Sequence, residues 1–409
     1  MKGGIYMAIF YRFLYRQQQK FVVLLISCMF LTTILSENQI CLGAEENLSM
    51  YSGSYALTDG DSNRILRGKN EEEPMANAST TKILTCIVAL ELGSLEDKVE
   101  ISVNASSQPK VRLGMKAGET YKLEELLYGL MLESYNDCAV AIAEHIAGST
   151  EEFARLLNEK AKEIGCTDTY FITPNGLDAS DEYSFHHTTA FDLCKMMAYC
   201  TWNSPKSKEF LKITQTRNYG DYTNRNIFLN QMEGVLSGKT GFTNKAGYCY
   251  VAAMEINGER YCIALLACGW PNNKNYKWID ARKLFEYGME NYQERIIRID
   301  ALEREIGLEG YVGKAETNEL GKENNLIIKS KSWEKKILMS ERDKVHTEIV
   351  LYTDKRSPIK EGETMGKCNV YLNETYIDSI PLIASESVNI WWWSTIFHTI
   401  FYQFLTFSL

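Results

Sequence analysis

The sequence lacks several patterns that would point directly to a class of function. It has 11 cysteines among 409 residues, yet none forms a C-x-x-C pair of the kind that binds zinc or iron. It also has no basic excess, because the net charge is −9, and this excludes the electrostatic signature of a nucleic-acid-binding protein. Two cysteines fall in the first 44 residues, and the odd number that remains leaves at least one thiol unpaired. We expect no metal and no cofactor.

The N-terminal apolar run is too short for a typical membrane-spanning helix. Phe21–Leu35 follows three basic residues, which is the arrangement of a secretory signal. A spanning helix needs roughly 20 apolar residues. Small residues around Ala44 favour cleavage there, so we expect residues 1–44 to be a signal peptide. An uncleaved membrane anchor is the alternative.

The C-terminal segment lacks charged side chains altogether. No Lys, Arg, Asp or Glu follows Glu386. Residues 387–409 contain a Trp391-Trp392-Trp393 run and then polar residues at near-helical spacing, with aromatic and aliphatic residues between them. This pattern predicts an amphipathic helix that lies in a membrane interface. The alternative is a terminal helix packed on the protein, because so many exposed aromatic residues would otherwise favour aggregation.

Between these two segments, the pattern predicts two domains. In residues 45–289, a hairpin near Tyr55 comes first, helical segments follow, and three strands occupy residues 234–268. Asn257-Gly258, between the last two strands, predicts a type I′ turn. Strands at both ends with helices between them predict one α+β domain, in which an antiparallel sheet joins the first hairpin to the last strands. Residues 290–386 predict a small all-β domain without a catalytic cluster.

Apolar residues at helical spacing predict the helices of the first domain. Gly93 is expected to end the first helix, and Asp137 can cap the third. The predicted helices cover Ser79–Leu92, Leu123–Leu132, Cys138–Ile146, Glu151–Ile164, Thr188–Cys200 and Ile279–Tyr287.

The first of these helices carries a serine and a lysine at its start. Ser79 and Lys82 are three residues apart, so they share a helix face. The apolar residues after Lys82 leave no wide polar side, which predicts a helix buried all round. Burial and the positive helix end both disfavour the ammonium form. We therefore expect Lys82 to be neutral enough to accept a proton from the Ser79 hydroxyl.

Two further motifs make this pair a candidate site. S-x-x-K and S-x-N each occur four times, whereas K-T-G occurs once, at Lys239. The three motifs together indicate a catalytic site because of their order and their predicted positions. Ser134-Tyr135-Asn136 lies in a break between two helices, and the K-T-G motif lies on a strand at the sheet edge. Ser134 would relay a proton to a leaving amine, and Asn136 would hold a substrate amide.

The K-T-G motif would form the opposite wall of the site. Lys239 and Thr240 would bind a terminal carboxylate, and Gly241 would allow substrate to approach the strand closely. The backbone N–H groups of Ser79 and Phe242 are candidates for an oxyanion hole.

Each motif alone also has an ordinary structural interpretation. Ser79 could lie near a helix start beside a solvated lysine, Ser134 and Asn136 could cap a helix, and the K-T-G motif could be a turn. All three in this order favour the functional interpretation. The remaining candidates, which we expect to be structural, are His145, His186, His187 and the packing residue Cys138.

With these motifs the chain resembles the low-molecular-mass penicillin-binding proteins that act as serine-type D-alanyl-D-alanine carboxypeptidases. The resemblance implies a β-lactamase-like domain with helices around a five-stranded antiparallel sheet. It also implies an acyl-enzyme on Ser79, release of the terminal D-alanine from peptidoglycan stem peptides, and acylation by penicillins and other β-lactams. It extends through a C-terminal β domain to a membrane anchor. The segments that carry it are Ala78–Thr85, Glu133–Asp137, Thr173–Leu177, Gly238–Thr243, Ala246–Cys249, Ser357–Glu363 and Ile380–Leu382.

One position departs from that family. Many members carry an arginine between the last strand and the last helix that helps to hold the substrate carboxylate, and Lys277 takes that place here. Lysine keeps the charge but loses the two-pronged hydrogen bonding of arginine.

The same motifs leave two alternatives open. A class A β-lactamase needs a glutamate-activated water, but Thr169–Leu177 contains no glutamate. A non-catalytic, membrane-held sensor of β-lactams or stem peptides is the other alternative. We expect an exported enzyme on the outer face of the cytoplasmic membrane or in the cell wall of a Gram-positive bacterium.

Overall fold

A computed structural model describes residues 48–307, 325–352 and 359–387. The predicted leader 1–44 and the terminal segment from residue 388 onward lie outside these ranges. Within them, no helix combines the length and the apolar character that crossing a bilayer requires.

The first part of the described chain contains both strands and helices. Its strands are β1 (Ser54–Asp59), β2 (Ile65–Lys69), β3 (Lys98–Glu100), β4 (Thr120–Lys122), β5 (Asn218–Tyr219), β6 (Tyr222–Thr223), β7 (Val235–Thr243), β8 (Gly247–Ile256) and β9 (Glu259–Leu266). Its helices are α1 (Lys82–Leu92), α2 (Val103–Ser106), α3 (Leu123–Tyr128), α4 (Asn136–Ala147), α5 (Thr150–Ile164), α6 (Ala190–Ala198), α7 (Ser207–Gln215) and α8 (Tyr276–Asn291).

A five-stranded antiparallel sheet joins the two ends of this region, which confirms the predicted α+β architecture. The strand order is β2-β1-β9-β8-β7, so the first hairpin pairs with the last strand. Between β8 and β9, Asn257 has φ 54° and Gly258 has φ 86°. Two positive φ angles are what a type I′ turn requires. The strand β7, which carries the K-T-G motif, is at the sheet edge.

Helix α1 is buried on nearly every side, as its sequence predicts. All residues from Lys82 to Leu90 are buried, and the helix ends at Gly93. A short 3₁₀ turn, Ala78–Thr81, leads into it, so Ser79 lies just before the α-helix. An apolar helix inside the domain core gives its start a fixed position, and the 3₁₀ turn just before it carries the candidate nucleophile.

The helix predicted at Leu123–Leu132 changes character before it ends. Helix α3 ends at Tyr128, and a π-helical turn, Gly129–Glu133, follows it directly. Ser134 follows in the left-handed region with φ 66°. Such a conformation costs about 1 kcal/mol or more for a residue with a side chain, and it commonly occurs at functional sites. The predicted break at Ser134 is confirmed.

Asp137 does not cap the next helix, so that prediction is wrong. Helix α4 begins at Asn136 and its N-cap residue is Tyr135. The buried carboxylate of Asp137 instead accepts backbone hydrogen bonds from Leu113 at 3.0 Å and Gly114 at 2.7 Å. Its role is to hold the preceding loop against α4.

The remaining predicted helices are present with shifted ends. The segment predicted at Thr188–Cys200 is α6, capped by the Thr189 hydroxyl, followed by a π turn at Tyr199–Asn203. The last predicted helix is longer at both ends than expected and forms α8. Gly288 lets it pack closely on the sheet, since a Cβ there would come 3.0 Å from the Tyr261 ring.

Beyond α8 the described residues form strands without helices, as predicted. These strands are β10 (Gln293–Ile299), β11 (Glu303–Gly307), β12 (Asn325–Lys329), β13 (Trp333–Met339), β14 (Val345–Leu351), β15 (Thr364–Leu372) and β16 (Thr375–Ala384). β10 pairs with β13, and the others form a sheet in the order β11-β12-β16-β15-β14. The guanidinium of Arg64 binds both carboxylate oxygens of Asp343, which ties this β region to the first hairpin.

Candidate active site

The turn that carries Ser79 is fixed by its own polar side chains. The amide of Asn77 donates to the hydroxyls of Thr80 at 3.0 Å and Thr81 at 2.8 Å. The Thr80 hydroxyl donates back to the Asn77 carbonyl at 2.7 Å. All three side chains are buried. Among the described residues the Asn77 side-chain oxygen has no hydrogen-bond partner, but the other bonds connect three buried side chains of the turn and so hold the serine in place before α1.

Lys82 lies at the centre of the site, and its amine has three neighbours. Nζ is 2.7 Å from Ser79 Oγ, 2.8 Å from Asn136 Oδ1 and 2.9 Å from the carbonyl oxygen of Asn175. The lysine side chain is fully buried. This burial holds its pKa well below the ordinary value, and the positive charge of Lys239 lowers the pKa further.

This geometry suits a neutral amine. A neutral amine has two N–H donors and one lone pair. The two carbonyl oxygens, from Asn136 and Asn175, can each accept one N–H, and the lone pair then faces the Ser79 hydroxyl. The arrangement can therefore accept the proton of the serine.

The backbone of Asn175 is a functional group that the sequence interpretation missed. The Thr173–Leu177 segment predicts only a loop, and a backbone oxygen carries no residue signature. Gly176 has φ 80°, and a Cβ there would overlap the carbonyl oxygen of Ala78. The Thr85 hydroxyl donates to the Pro174 carbonyl at 2.7 Å. These contacts press the loop onto the start of α1 and aim a carbonyl oxygen at the lysine.

The S-x-N motif supplies the second wall. The Asn136 side-chain amide donates to the Pro109 carbonyl at 3.2 Å, and its backbone N–H donates to Val111 at 2.8 Å. An amide nitrogen has two hydrogens, so one is left for a substrate carbonyl. Ser134 lines the same cavity. The structure thus brings Ser134 and Asn136 together with the Ser79–Lys82 pair.

The K-T-G strand forms the third wall and lies directly against the serine turn. A Cβ on Gly241 would come 2.9 Å from the Ser79 backbone nitrogen and 3.0 Å from the Asn77 carbonyl oxygen. Glycine is therefore needed for β7 to approach the nucleophile turn. Thr240, Gly241 and Phe242 line the cavity.

Lys239 differs from the other two motif residues because it lies beneath the cavity surface. Its side chain is only 2% exposed and its ammonium donates to the Thr240 carbonyl at 3.1 Å. Burial lowers its pKa to about 7. Lys239 therefore places a cation behind the strand, where it acts on Lys82 and on any anion bound in the cavity.

The cavity enclosed by these walls has a volume of about 510 Å³, which suits a small ligand or a peptide end. Lys277 also lines it. The Lys277 ammonium lies 4.4 Å from the Tyr248 ring centroid and 4.8 Å from that of Trp278, and it donates to the Lys274 carbonyl. Burial lowers the pKa of Lys277 to about 8. No sequence pattern indicated the two aromatic neighbours.

His186 has a structural position, as predicted. Its Nδ1 accepts the backbone N–H of Ile172 at 2.9 Å, and its Nε2 is 2.9 Å from the Thr81 hydroxyl. Burial lowers its pKa to about 3, so it is neutral. The nine cysteines of the described ranges are all buried and unpaired. No cluster of metal-ligating side chains occurs in those ranges.

Comparisons with known proteins agree with this geometry. A family model described as D-alanyl-D-alanine carboxypeptidase matches residues 42–267. A second model, described as Penicillin-binding protein 5, C-terminal domain, matches residues 309–389. The two matches fall on the α+β region and on the β region.

Individual relatives cover most of the chain. The D-alanyl-D-alanine carboxypeptidase DacF of Bacillus subtilis is 28% identical over 356 residues, which is 82% of this chain and 85% of that protein. Penicillin-binding protein D2 of Listeria monocytogenes, solved in a cefotaxime-bound form, is 26% identical with a TM-score of 0.53, over 59% of this chain and 99% of that one. Carboxypeptidase DacD of Francisella tularensis shares the fold, with a TM-score of 0.61 and 23% identity over 84% and 95% of the two chains.

Proposed function

Since this chain belongs to the D-alanyl-D-alanine carboxypeptidase family and is a serine-type carboxypeptidase, we propose that it removes the terminal D-alanine of peptidoglycan stem peptides through an acyl-enzyme on Ser79. The observation that carries the proposal is the buried Lys82 amine, 2.7 Å from the serine oxygen and supported by two carbonyl oxygens.

The proposed acylation uses the three walls of the site. Lys82 accepts the hydroxyl proton as Ser79 Oγ attacks the carbonyl carbon of the penultimate D-alanine. The N–H groups of Ser79 and Phe242 bind the oxyanion that forms. Ser134 passes a proton to the nitrogen of the departing D-alanine, the C–N bond breaks, and water then hydrolyses the ester.

The proposed carboxylate site lies on the β7 side. The terminal carboxylate of the substrate meets the Thr240 hydroxyl and the positive charges of Lys239 and Lys277. Both cations are largely shielded from water, so they act on a bound anion more strongly than exposed lysines would. Asn136 holds the carbonyl of the preceding residue with its remaining amide hydrogen.

Penicillin should acylate the enzyme quickly, and the resulting acyl-enzyme should be hydrolysed slowly. The one carboxylate that lines the cavity within the described ranges belongs to Glu133, and it is bound by the Arg225 side chain at 2.7 Å and the Thr223 N–H at 2.8 Å. Each oxygen of this carboxylate already accepts a hydrogen bond, so we do not expect it to hold the water that a β-lactamase needs.

The experiment combines mass spectrometry of the penicillin adduct with D-alanine release from a D-Ala-D-Ala peptide. We expect the acyl group on Ser79, an adduct that outlasts many peptide turnovers, and free D-alanine. Rapid hydrolysis of penicillin would favour a β-lactamase. Acylation without D-alanine release would favour a sensor. An adduct on any other residue would contradict the proposed site.

Replacement of Lys277 should weaken substrate binding more than turnover. We expect Lys277→Met to raise KM roughly tenfold with a smaller change in kcat, because a charge-assisted hydrogen bond to the substrate carboxylate is lost. Lys277→Arg should keep KM near the wild-type value at pH 7. An unchanged KM in Lys277→Met would remove this residue from the carboxylate site.

The pH dependence of KM follows from the same cations. Their pKa values are about 7 for Lys239 and about 8 for Lys277, both below the usual value for lysine. As pH rises through this range the free enzyme loses positive charge, so KM should rise. In Lys277→Arg the guanidinium stays charged, so the part of the rise near pH 8 should disappear.

The domain division predicted from the sequence is also part of the proposal. We propose residues 45–289 as the catalytic domain and residues 290–386 as a β domain that holds it towards the cell wall. Family members act on peptidoglycan outside the cytoplasm. We propose the signal 1–44 for export and residues 387–409 for attachment to the membrane surface.

A further inference from the structure

The wall of the cavity next to Ser134 carries a cation that the proposed reaction does not use. Arg225 lines the cavity, and its side chain is 66% exposed. Its backbone N–H donates to the Leu132 carbonyl at 3.1 Å, which fixes it beside the S-x-N turn. The guanidinium contacts Glu133 through Nε at 2.7 Å. A guanidinium has five N–H donors, so its outer edge is left for a ligand.

Glu133 orients this arginine. Its carboxylate is 7% exposed and accepts the Thr223 N–H with one oxygen and Arg225 Nε with the other. The contact shown with Glu133 is through Nε, so the two terminal nitrogens remain to donate to another group. A bidentate edge of this kind matches the geometry of a carboxylate.

A second cation lies on the same wall. Lys110 lines the cavity and is exposed. Its neighbour Val111 accepts the Asn136 N–H at 2.8 Å, so the 109–111 segment is attached to the S-x-N wall. The cavity therefore has cations on two walls, Lys277 on one and Arg225 with Lys110 on the other, although the whole chain carries a net charge of −9.

We propose that Arg225, assisted by Lys110, is a specificity-determining residue that binds a carboxylate on the acyl half of the substrate. The inference rests on the proposed function. The terminal carboxylate of the peptide is accounted for by the β7 wall, whereas the part that becomes the acyl group extends past Ser134 and Asn136. Stem peptides can carry a carboxylate in that part at two places: the side chain of a diaminopimelate residue, or the α-carboxylate of a γ-linked D-glutamate.

Three peptides ending in D-Ala-D-Ala distinguish these sources. One has a diaminopimelate before the D-alanines, the second has γ-D-glutamyl-lysine, and the third is a diacetyl-lysine peptide with a neutral acyl half. We expect Arg225→Gln to lower kcat/KM roughly tenfold for the carboxylate-bearing peptide that uses the subsite, and to leave the neutral peptide within about twofold. Arg225→Lys should retain part of the preference.

The matched control is Arg298→Gln. Arg298 is also exposed (69%) and also contacts a glutamate through Nε, Glu334 at 3.3 Å, but it lies on β10 in the β region. It should change none of the three rates. An equal fall for all three peptides in Arg225→Gln, with slower penicillin acylation, would assign Arg225 to the terminal carboxylate and overturn the inference. Unchanged rates for all three would also overturn it. If wild-type enzyme cleaves none of them, the proposed function itself fails.

Discussion

Ser79→Ala should abolish both D-alanine release and penicillin labelling. The hydroxyl is the group proposed to form the acyl-enzyme, and its removal leaves no nucleophile beside the Lys82 amine. We expect at least a 1,000-fold fall in kcat/KM, because loss of a catalytic serine removes the covalent pathway rather than one contact. The measurements are D-alanine release and the mass of the protein after incubation with penicillin.

The variant should remain folded, and this makes the result interpretable. Ser79 Oγ contacts the Asn175 carbonyl at 3.4 Å and the Lys82 amine, whereas the turn itself is held by Asn77, Thr80 and Thr81. A control is Ser332→Ala, which alters another S-x-x-K string on the β region at an exposed position. That variant should keep full activity. Activity that survives in Ser79→Ala would move the nucleophile elsewhere.

The order of the motifs was sufficient to predict the three walls. Ser79, Ser134 and Lys239 are far apart in the chain, and their settings could be predicted because each had its own local signal. The apolar residues after Lys82 indicated a buried helix, and the polar interruption at Ser134 indicated a break. Residues 234–243, around Lys239, were predicted to form a strand. These patterns depend on periodicity, which the sequence displays directly.

Other parts of the site could not be predicted because they depend on tertiary contacts. The Asn175 carbonyl is a backbone atom, and only the packing of its loop on α1 shows that it faces Lys82. Arg225 meets Glu133 from 92 residues away. Gly241 was expected to make room for substrate, but its missing Cβ also makes room for the Ser79 turn. Asp137 was expected to cap α4, but its carboxylate instead accepts hydrogen bonds from the N–H groups of the preceding loop.

Lys82→Gln should slow acylation by about 100- to 10,000-fold, the range that a general base contributes. The substitution leaves Ser79 in place but removes the lone pair that accepts its proton. The measurement is the second-order rate constant for acylation by a fluorescent penicillin. A glutamine amide can still donate to the Asn136 and Asn175 oxygens, so an unchanged melting temperature would separate the chemical loss from unfolding.

Lys82→Arg tests whether charge or basicity matters. A guanidinium keeps its positive charge at every accessible pH, so this variant should be as slow as Lys82→Gln from pH 5 to pH 9. The wild-type rate should fall on the acid side of the Lys82 pKa, where the amine becomes protonated, and this fall is separate from the weaker carboxylate binding expected above pH 7. If Lys82→Arg retained more than about a tenth of the wild-type rate, the lysine would act through its charge, and its role as general base would be wrong.

The acylation rate falls at low pH as Lys82 becomes protonated, and we call this fall the acid limb. Its position on the pH scale depends on the second buried lysine, Lys239. Burial is the main cause of the low Lys82 pKa, and the charge of Lys239 adds to it. Lys239→Gln removes a like charge, so the Lys82 pKa should rise and the acid limb should move to higher pH. The same substitution weakens carboxylate binding, which lowers the rate at all pH values but does not move the limb. A limb that stays in place would mean that the two amines are not coupled, and that burial alone keeps Lys82 neutral.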